Sequence, residues 1–61
     1  MNTGKILTVS GPVVDCGFET GQLPAIREAL HVTLHGEVRV MEVVQQLSAT
    51  RVRCVLLGAS E

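Results

Sequence analysis

Short runs in which apolar residues alternate with polar ones cover most of this chain. In residues 13–18, Val14, Cys16 and Phe18 share one phase, and Asp15 lies in the other. A period of two is typical of a strand with one buried face. Similar runs occupy residues 4–10, 30–34, 37–47 and 51–57. Their alternation predicts an inward phase of Leu30, Val32 and Leu34 in the second of these runs and of Val52, Cys54 and Leu56 in the last. The pattern therefore predicts about five short strands.

Residues that favour turns separate these runs. Ser10-Gly11-Pro12 ends the first run, because Pro12 has no backbone N–H and Gly11 tolerates a positive φ. His35-Gly36 predicts a hairpin turn in which the glycine supplies a positive φ. Short strands with short connections in a chain of 61 residues favour an all-β fold, a small antiparallel β-barrel. We expect residues 1–61 to form a single domain.

Two segments give more specific local predictions. In residues 4–10, we expect Leu7 and Val9 to share the inward face. Residues 25–30 follow Pro24 and are predicted to form one helical turn, whose inward residues are Ile26, Ala29 and Leu30.

The longest run, residues 37–47, changes its apolar phase part of the way along. Val38 and Val40 lie in one phase, whereas Met41 and Val43 lie in the other. A β-bulge or a bend at a barrel corner would account for the change. The run also fits a helical spacing, but its β-branched residues and the hairpin before it favour a strand.

Charge and composition narrow the classes of partner. The net charge is −1 and Phe18 is the only aromatic residue, which argues against a nucleic-acid-binding surface. Arg51 and Arg53 form the only basic pair, and we expect both to lie solvated on the outer face of a strand; a phosphate-binding patch is the alternative. No apolar run approaches the roughly 20 residues of a membrane helix, and no signal peptide is evident. We expect a soluble cytosolic or matrix-side chain without membrane insertion.

The two cysteines, Cys16 and Cys54, lie in the apolar phases of their runs. Free cysteine behaves as a small apolar residue, so we expect two buried thiols. A disulfide between them is the alternative, although a small secreted scaffold usually carries more cysteines.

The sequence shows no recognisable motif for catalysis, phosphate binding or metal binding. Gly4-Lys5 lacks the upstream glycine and the following Ser or Thr of a phosphate-binding loop. His31 and His35 are four residues apart, about 13 Å in an extended strand, which is too far to share one metal ion. Asp15 could form a carboxylate pair with Glu42 or Glu19, but nothing in the sequence places them together. We therefore assign no catalytic, cofactor-binding or metal-binding residue.

Five segments in their order carry a family resemblance: GKILTVSGPVVDCGF, GQLPAIREAL, HGE, MEVVQQL and RVRCVLL. The chain resembles the N-terminal β-barrel domain of the F-type ATP synthase β subunit from near its start to about Gly58. LPAIREAL followed by EVVQQL is more typical of β than of α subunits. Cys16 and Gly17 depart from the family, which usually has another apolar residue and a larger polar residue there.

The resemblance implies a structural role without chemistry in this chain. Such barrels from alternating α and β subunits form a ring that holds together an assembly coupling ATP synthesis or hydrolysis to proton or sodium transport. ATP, ADP and Mg would bind only in later parts of the catalytic parent. The parent's assembly would lie on the inner face of the cell membrane. The family's last barrel strand is missing, so we expect this truncated domain to self-associate.

Two other interpretations remain open at this point. One is a free-standing SH3-like or OB-like binding module, although such modules depend on aromatic residues that this chain lacks. The other is the matching barrel of a sister rotary ATPase, of the V/A type or a secretion ATPase. The sequence that follows Glu61 would separate them.

Overall fold

Five strands form one antiparallel sheet in the computed structural model, which describes residues 3–58. The strands are β1 (Lys5–Ser10), β2 (Val13–Gly17), β3 (Ala29–Leu34), β4 (Glu37–Gln46) and β5 (Arg51–Leu56). Their order in the sheet is β1-β2-β5-β4-β3, and every neighbouring pair is antiparallel. The prediction of an all-β fold with about five antiparallel strands is confirmed.

The sheet curls into a half-barrel whose two edges are β1 and β3. Because four antiparallel pairings lie between them, both edge strands run in the same direction. One further strand antiparallel to both edges would therefore complete an antiparallel barrel of even strand number.

Two hairpin turns require backbone conformations that favour glycine. Gly11 has φ +59° at the first central position of the β1–β2 turn, where a type II′ turn requires it. In the β3–β4 turn, His35 has φ +52° and Gly36 has φ +81°, the pattern of a type I′ turn. The predicted His35-Gly36 hairpin is confirmed.

The core lies on the concave face of the sheet. Val14, Val43, Val52 and Cys54 are completely buried there, and Cys16, Val32 and Met41 are almost so. Phe18 and four leucines pack against this cluster from its rim: Leu23, Leu30, Leu34 and Leu56. The inward phases predicted for β2, β3 and β5 are thus the ones observed.

The predicted inward face of β1 is wrong in one residue. The register with β2 shifts between Ile6 and Thr8, so Leu7 is the extra residue of a β-bulge. Ile6 pairs with Cys16 and Val9 pairs with Val14, which puts Ile6 and Val9 on the concave face. Leu7 instead leans over Gly17, since a Cβ on Gly17 would lie 3.3 Å from Leu7 Cδ1.

The predicted bulge in β4 exists, but it lies further along the strand. Between Val40 and Met41 the pairing with β3 is regular, so the two apolar phases face opposite sides of the sheet. The register with β5 shifts between Val43 and Gln45, and Val44 is the extra residue. Val38, on the convex face, is 68% exposed.

The predicted helical turn at residues 25–30 is wrong. Arg27, with φ +76°, is the third residue of a turn closed by a 3.0 Å bond from Glu28 N–H to the Ala25 carbonyl, a type II turn. Ile26 is half exposed rather than inward.

This turn joins β4 through a bulge. Arg27 N–H donates to the Val43 carbonyl, and Val43 N–H donates to the Glu28 carbonyl. Two residues therefore oppose one, as in a bulge that usually has glycine in the left-handed position. Pairing with β4 satisfies these backbone groups better than a single isolated helical turn would.

Candidate functional site

The residues considered for chemistry are spread over the sheet. Asp15 lies on the convex face of β2, and Glu42 lies on β4, separated from it by β5. His31 on β3 and His35 in the following turn are both exposed. Within residues 3–58, no three His, Cys, Asp or Glu residues are grouped closely enough to hold a metal ion. The described residues instead show three surface features: an open seam, an ion pair and an outer cleft.

The first surface is the open seam between β1 and β3. A cavity of about 610 Å³ lies there, lined by residues 3–6 on one side and residues 28–32 on the other. The concave-face residues of β1 are incompletely covered: Ile6 is 41% exposed and Val9 is 51% exposed. An uncovered apolar face beside two strand edges is suited to pairing with another strand.

The second feature is an ion pair on the convex face. Arg53 donates from Nε to Asp15 Oδ1 at 2.9 Å and from Nη2 to Oδ2 at 3.0 Å. Asp15 and Arg53 are directly paired residues of β2 and β5, which places their side chains on the same face. The hydrogen bond from Arg53 lowers the pKa of Asp15, and a hydrogen bond from Thr8 adds to this effect.

The third feature is a cleft on the convex face, of about 470 Å³. Its floor is Gly17, which pairs with Lys5 of β1 on one side and with Arg51 of β5 on the other. Leu7 and Phe18 line it with apolar surface. Sequence reasoning missed this outer cleft, although a glycine at an outward strand position is a signal of close approach or open space.

The two cysteines are diagonal neighbours on the concave face of β2 and β5: Cys16 pairs with Val52, and Cys54 pairs with Val14. Both are free and buried, which agrees with the prediction of buried thiols. Burial raises the pKa of Cys16, and burial raises the pKa of Cys54 to about 12. Ionisation is therefore disfavoured for both, although Cys16 also lines the seam cavity.

The part of the chain that the structure describes contains no helix long and apolar enough to cross a membrane.

A single curled antiparallel sheet with an open seam and a charged outer cleft defines a small β-barrel-like domain. The sequence profile of the ATP synthase alpha/beta family, beta-barrel domain, matches residues 6–61. The chain therefore belongs to this family, and the match extends past Gly58, where the resemblance was expected to end. Domains of this family are structural parts of rotary ATPases whose subunits assemble into a hexameric ring.

Proposed function

We propose that this chain is the N-terminal barrel domain of an F-type ATP synthase β subunit. In this proposal it holds neighbouring α subunits in the ring while other domains of the parent change conformation. The observation that carries the proposal is the family match over residues 6–61, combined with a sheet whose described surfaces suit contacts rather than chemistry. The parent would couple ATP synthesis or hydrolysis to proton or sodium transport.

The segment that favours β over α is an ordered part of this domain. Within LPAIREAL, residues 23–30, Glu28 N–H donates to the Ala25 carbonyl, and just before it Gln22 N–H donates to the Glu19 carbonyl. The end of this loop is hydrogen-bonded to Val43 of β4, and Pro24 within the loop is buried. A loop held in this way presents a constant surface to a neighbour, which is what a ring contact requires.

The proposal assigns nucleotide chemistry to other parts of the parent. ATP or ADP with Mg would bind there, and the assembly would lie on the inner face of the cell membrane, in the cytoplasm. This chain is expected not to bind ATP. Isothermal titration of this chain with Mg-ATP should give no saturable heat, and one-to-one micromolar binding would contradict the assignment.

The coding sequence after Glu61 offers the most direct test. We expect it to continue through one more barrel strand into a domain with a phosphate-binding loop. A stop codon there would favour the free-standing binding module. A continuation typical of V/A-type or secretion ATPases would favour the sister rotary enzyme.

A binding experiment tests the ring contact itself. The chain, mixed with purified α subunit from the same organism, should co-sediment as a complex in analytical ultracentrifugation. An unrelated small β-barrel protein of similar charge is the control for nonspecific association. Absence of a complex with α, together with a complex with a different rotary-ATPase subunit, would overturn the assignment to the F-type β subunit.

A further inference from the structure

The outer cleft is assembled by three residues in one row across three strands. Lys5, Gly17 and Arg51 are consecutive cross-strand partners on β1, β2 and β5. Directly opposed residues point to the same face of a sheet, so the two cations flank the glycine. Because Gly17 has no side chain, the side chain of Leu7 can lie over it, close to where a Cβ would be.

The bulge in β1 gives the cleft an apolar wall. Leu7 is displaced toward Gly17, and a Cβ added to Gly17 would meet Leu7 Cδ1 at 3.3 Å and Cδ2 at 3.5 Å. Any larger side chain at position 17 would therefore fill the cleft and press on Leu7. The bulged Leu7 side chain, packed over the glycine, thus forms one apolar side of the cleft.

The charges around the cleft are not balanced. The Arg53 guanidinium is engaged with Asp15, whereas Lys5 and Arg51 form no ion pair within residues 3–58. Glu19 is the single carboxylate in the lining, and Thr3 and Thr50 are its hydroxyl-bearing residues. The lining thus carries two cations against one anion, beside apolar carbon.

We propose that the outer cleft binds one aspartate or glutamate carboxylate presented by a neighbouring subunit of the ring. This inference rests on the proposed function for the source of the carboxylate. Lys5, Arg51 and Glu19 give the lining a net charge of +1, which one carboxylate neutralises. The apolar wall of Leu7 contacts the methylenes of the acidic side chain while Lys5 and Arg51 bind its oxygens.

The site can be tested on this chain alone. Amide resonances of Gly17, Thr50 and Arg51 are followed by NMR while N-acetyl-glutamate amide is added. We expect saturable shifts in the millimolar range that weaken as salt is raised. The neutral isostere N-acetyl-glutamine amide should cause none. Equal shifts with both probes, or no saturable shift with the acid, would overturn the proposal.

Variants identify the groups responsible. Arg51→Gln should weaken carboxylate binding about two- to five-fold, the size expected for one exposed ion pair. Gly17→Gln should abolish it by filling the cleft, whereas Glu19→Gln should strengthen it. Arg39→Gln removes a cation on β4 outside the cleft lining and should change nothing. An equal effect of Arg51→Gln and Arg39→Gln would reduce the site to general surface charge.

The partner experiment separates this inference from the proposed function. If the chain binds the α subunit and Arg51→Gln weakens that complex more than Arg39→Gln does, both stand. If the complex forms and Arg51→Gln does not weaken it, the ring contact stands and the inferred use of the cleft fails. If no α complex forms but the capped glutamate still binds, the carboxylate site stands and the assignment to the β subunit loses its support.

Discussion

Arg53 and Asp15 are 38 residues apart in sequence and form a two-pronged ion pair, with N–O distances of 2.9 and 3.0 Å. The pair exists because β2 lies beside β5 rather than because of any local motif. This bidentate geometry fixes the orientation of the guanidinium and aligns the two strands. It also leaves Arg51 as the β5 arginine without an ion pair in residues 3–58.

The ion pair predicts a dependence of stability on pH. The pKa of Asp15 is lowered from its ordinary value of 3.8, so the pair stabilises the fold above that pH. The stabilisation is lost as the pH falls through the lower folded value. Asp15→Asn should therefore lower the urea midpoint at neutral pH, with little further effect in strong acid. An equal loss at both pH values would mean that packing, not charge, accounts for the change.

The buried thiols predict a loss of stability in alkali. The pKa of Cys54 is raised to about 12 from an ordinary 9.0, so only the unfolded chain ionises this thiol between these values. Stability should fall by up to about 1.4 kcal/mol per pH unit for such a group above pH ~9. Urea unfolding of the chain and of Cys54→Val at pH 8 and 10.5 measures it. The variant should lose less stability than the parent, and identical losses would contradict the effect.

The same thiols should be slow to react in the folded chain. A thiol reagent such as Ellman's reagent should label both quickly in denaturant and slowly in native buffer, because the thiolate is the reactive form. Cys16 lines the seam cavity and should be the faster of the two. Rapid native labelling of both would show that the core is open.

Arg27 occupies a position that favours glycine. With φ +76°, it costs about 1 kcal/mol relative to a residue without a Cβ. Arg27→Gly should therefore raise the free energy of unfolding by about 0.5–1 kcal/mol. Arg27→Ala is the matched control, since it removes the side chain but keeps the Cβ. If both variants change stability equally, the side chain and not the backbone conformation is responsible.

The open seam predicts self-association. Edge pairing or exchange of a terminal strand would cover Ile6 and Val9 of the edge strand β1. Sedimentation at tens of micromolar should show a dimer or a larger species. A sharp monomer that unfolds cooperatively would contradict this expectation.

A pair of charge variants locates the contact. Ile6→Lys puts a charge on the seam, and Val38→Lys puts one on the convex face, where Val38 is 68% exposed. Only Ile6→Lys should weaken the association, because its ammonium would be buried between the edges. Circular dichroism of both variants checks that they remain folded. Equal weakening by both would place the contact elsewhere.

Much of the fold could be predicted from the alternation of apolar and polar residues. The inward phase of Val14 and Cys16 was predicted correctly, as was that of Val52 and Cys54, because a strand's two faces are encoded by neighbours in sequence. The bulge at Leu7 was not predicted, since one extra residue in a run of apolar side chains leaves no break in the pattern. The candidate cleft was not predicted either, because its residues belong to three different strands.

Alternation and turn chemistry act over a few neighbouring residues, so the strands, two of their turns and the apolar core residues can be predicted from the sequence. Which strands lie side by side depends on the folded sheet. That order brings Arg53 to Asp15 and Arg51 to Gly17, and it leaves β1 and β3 as open edges. Cross-strand pairing depends on the free energy of the whole curled sheet, which no local window of residues contains.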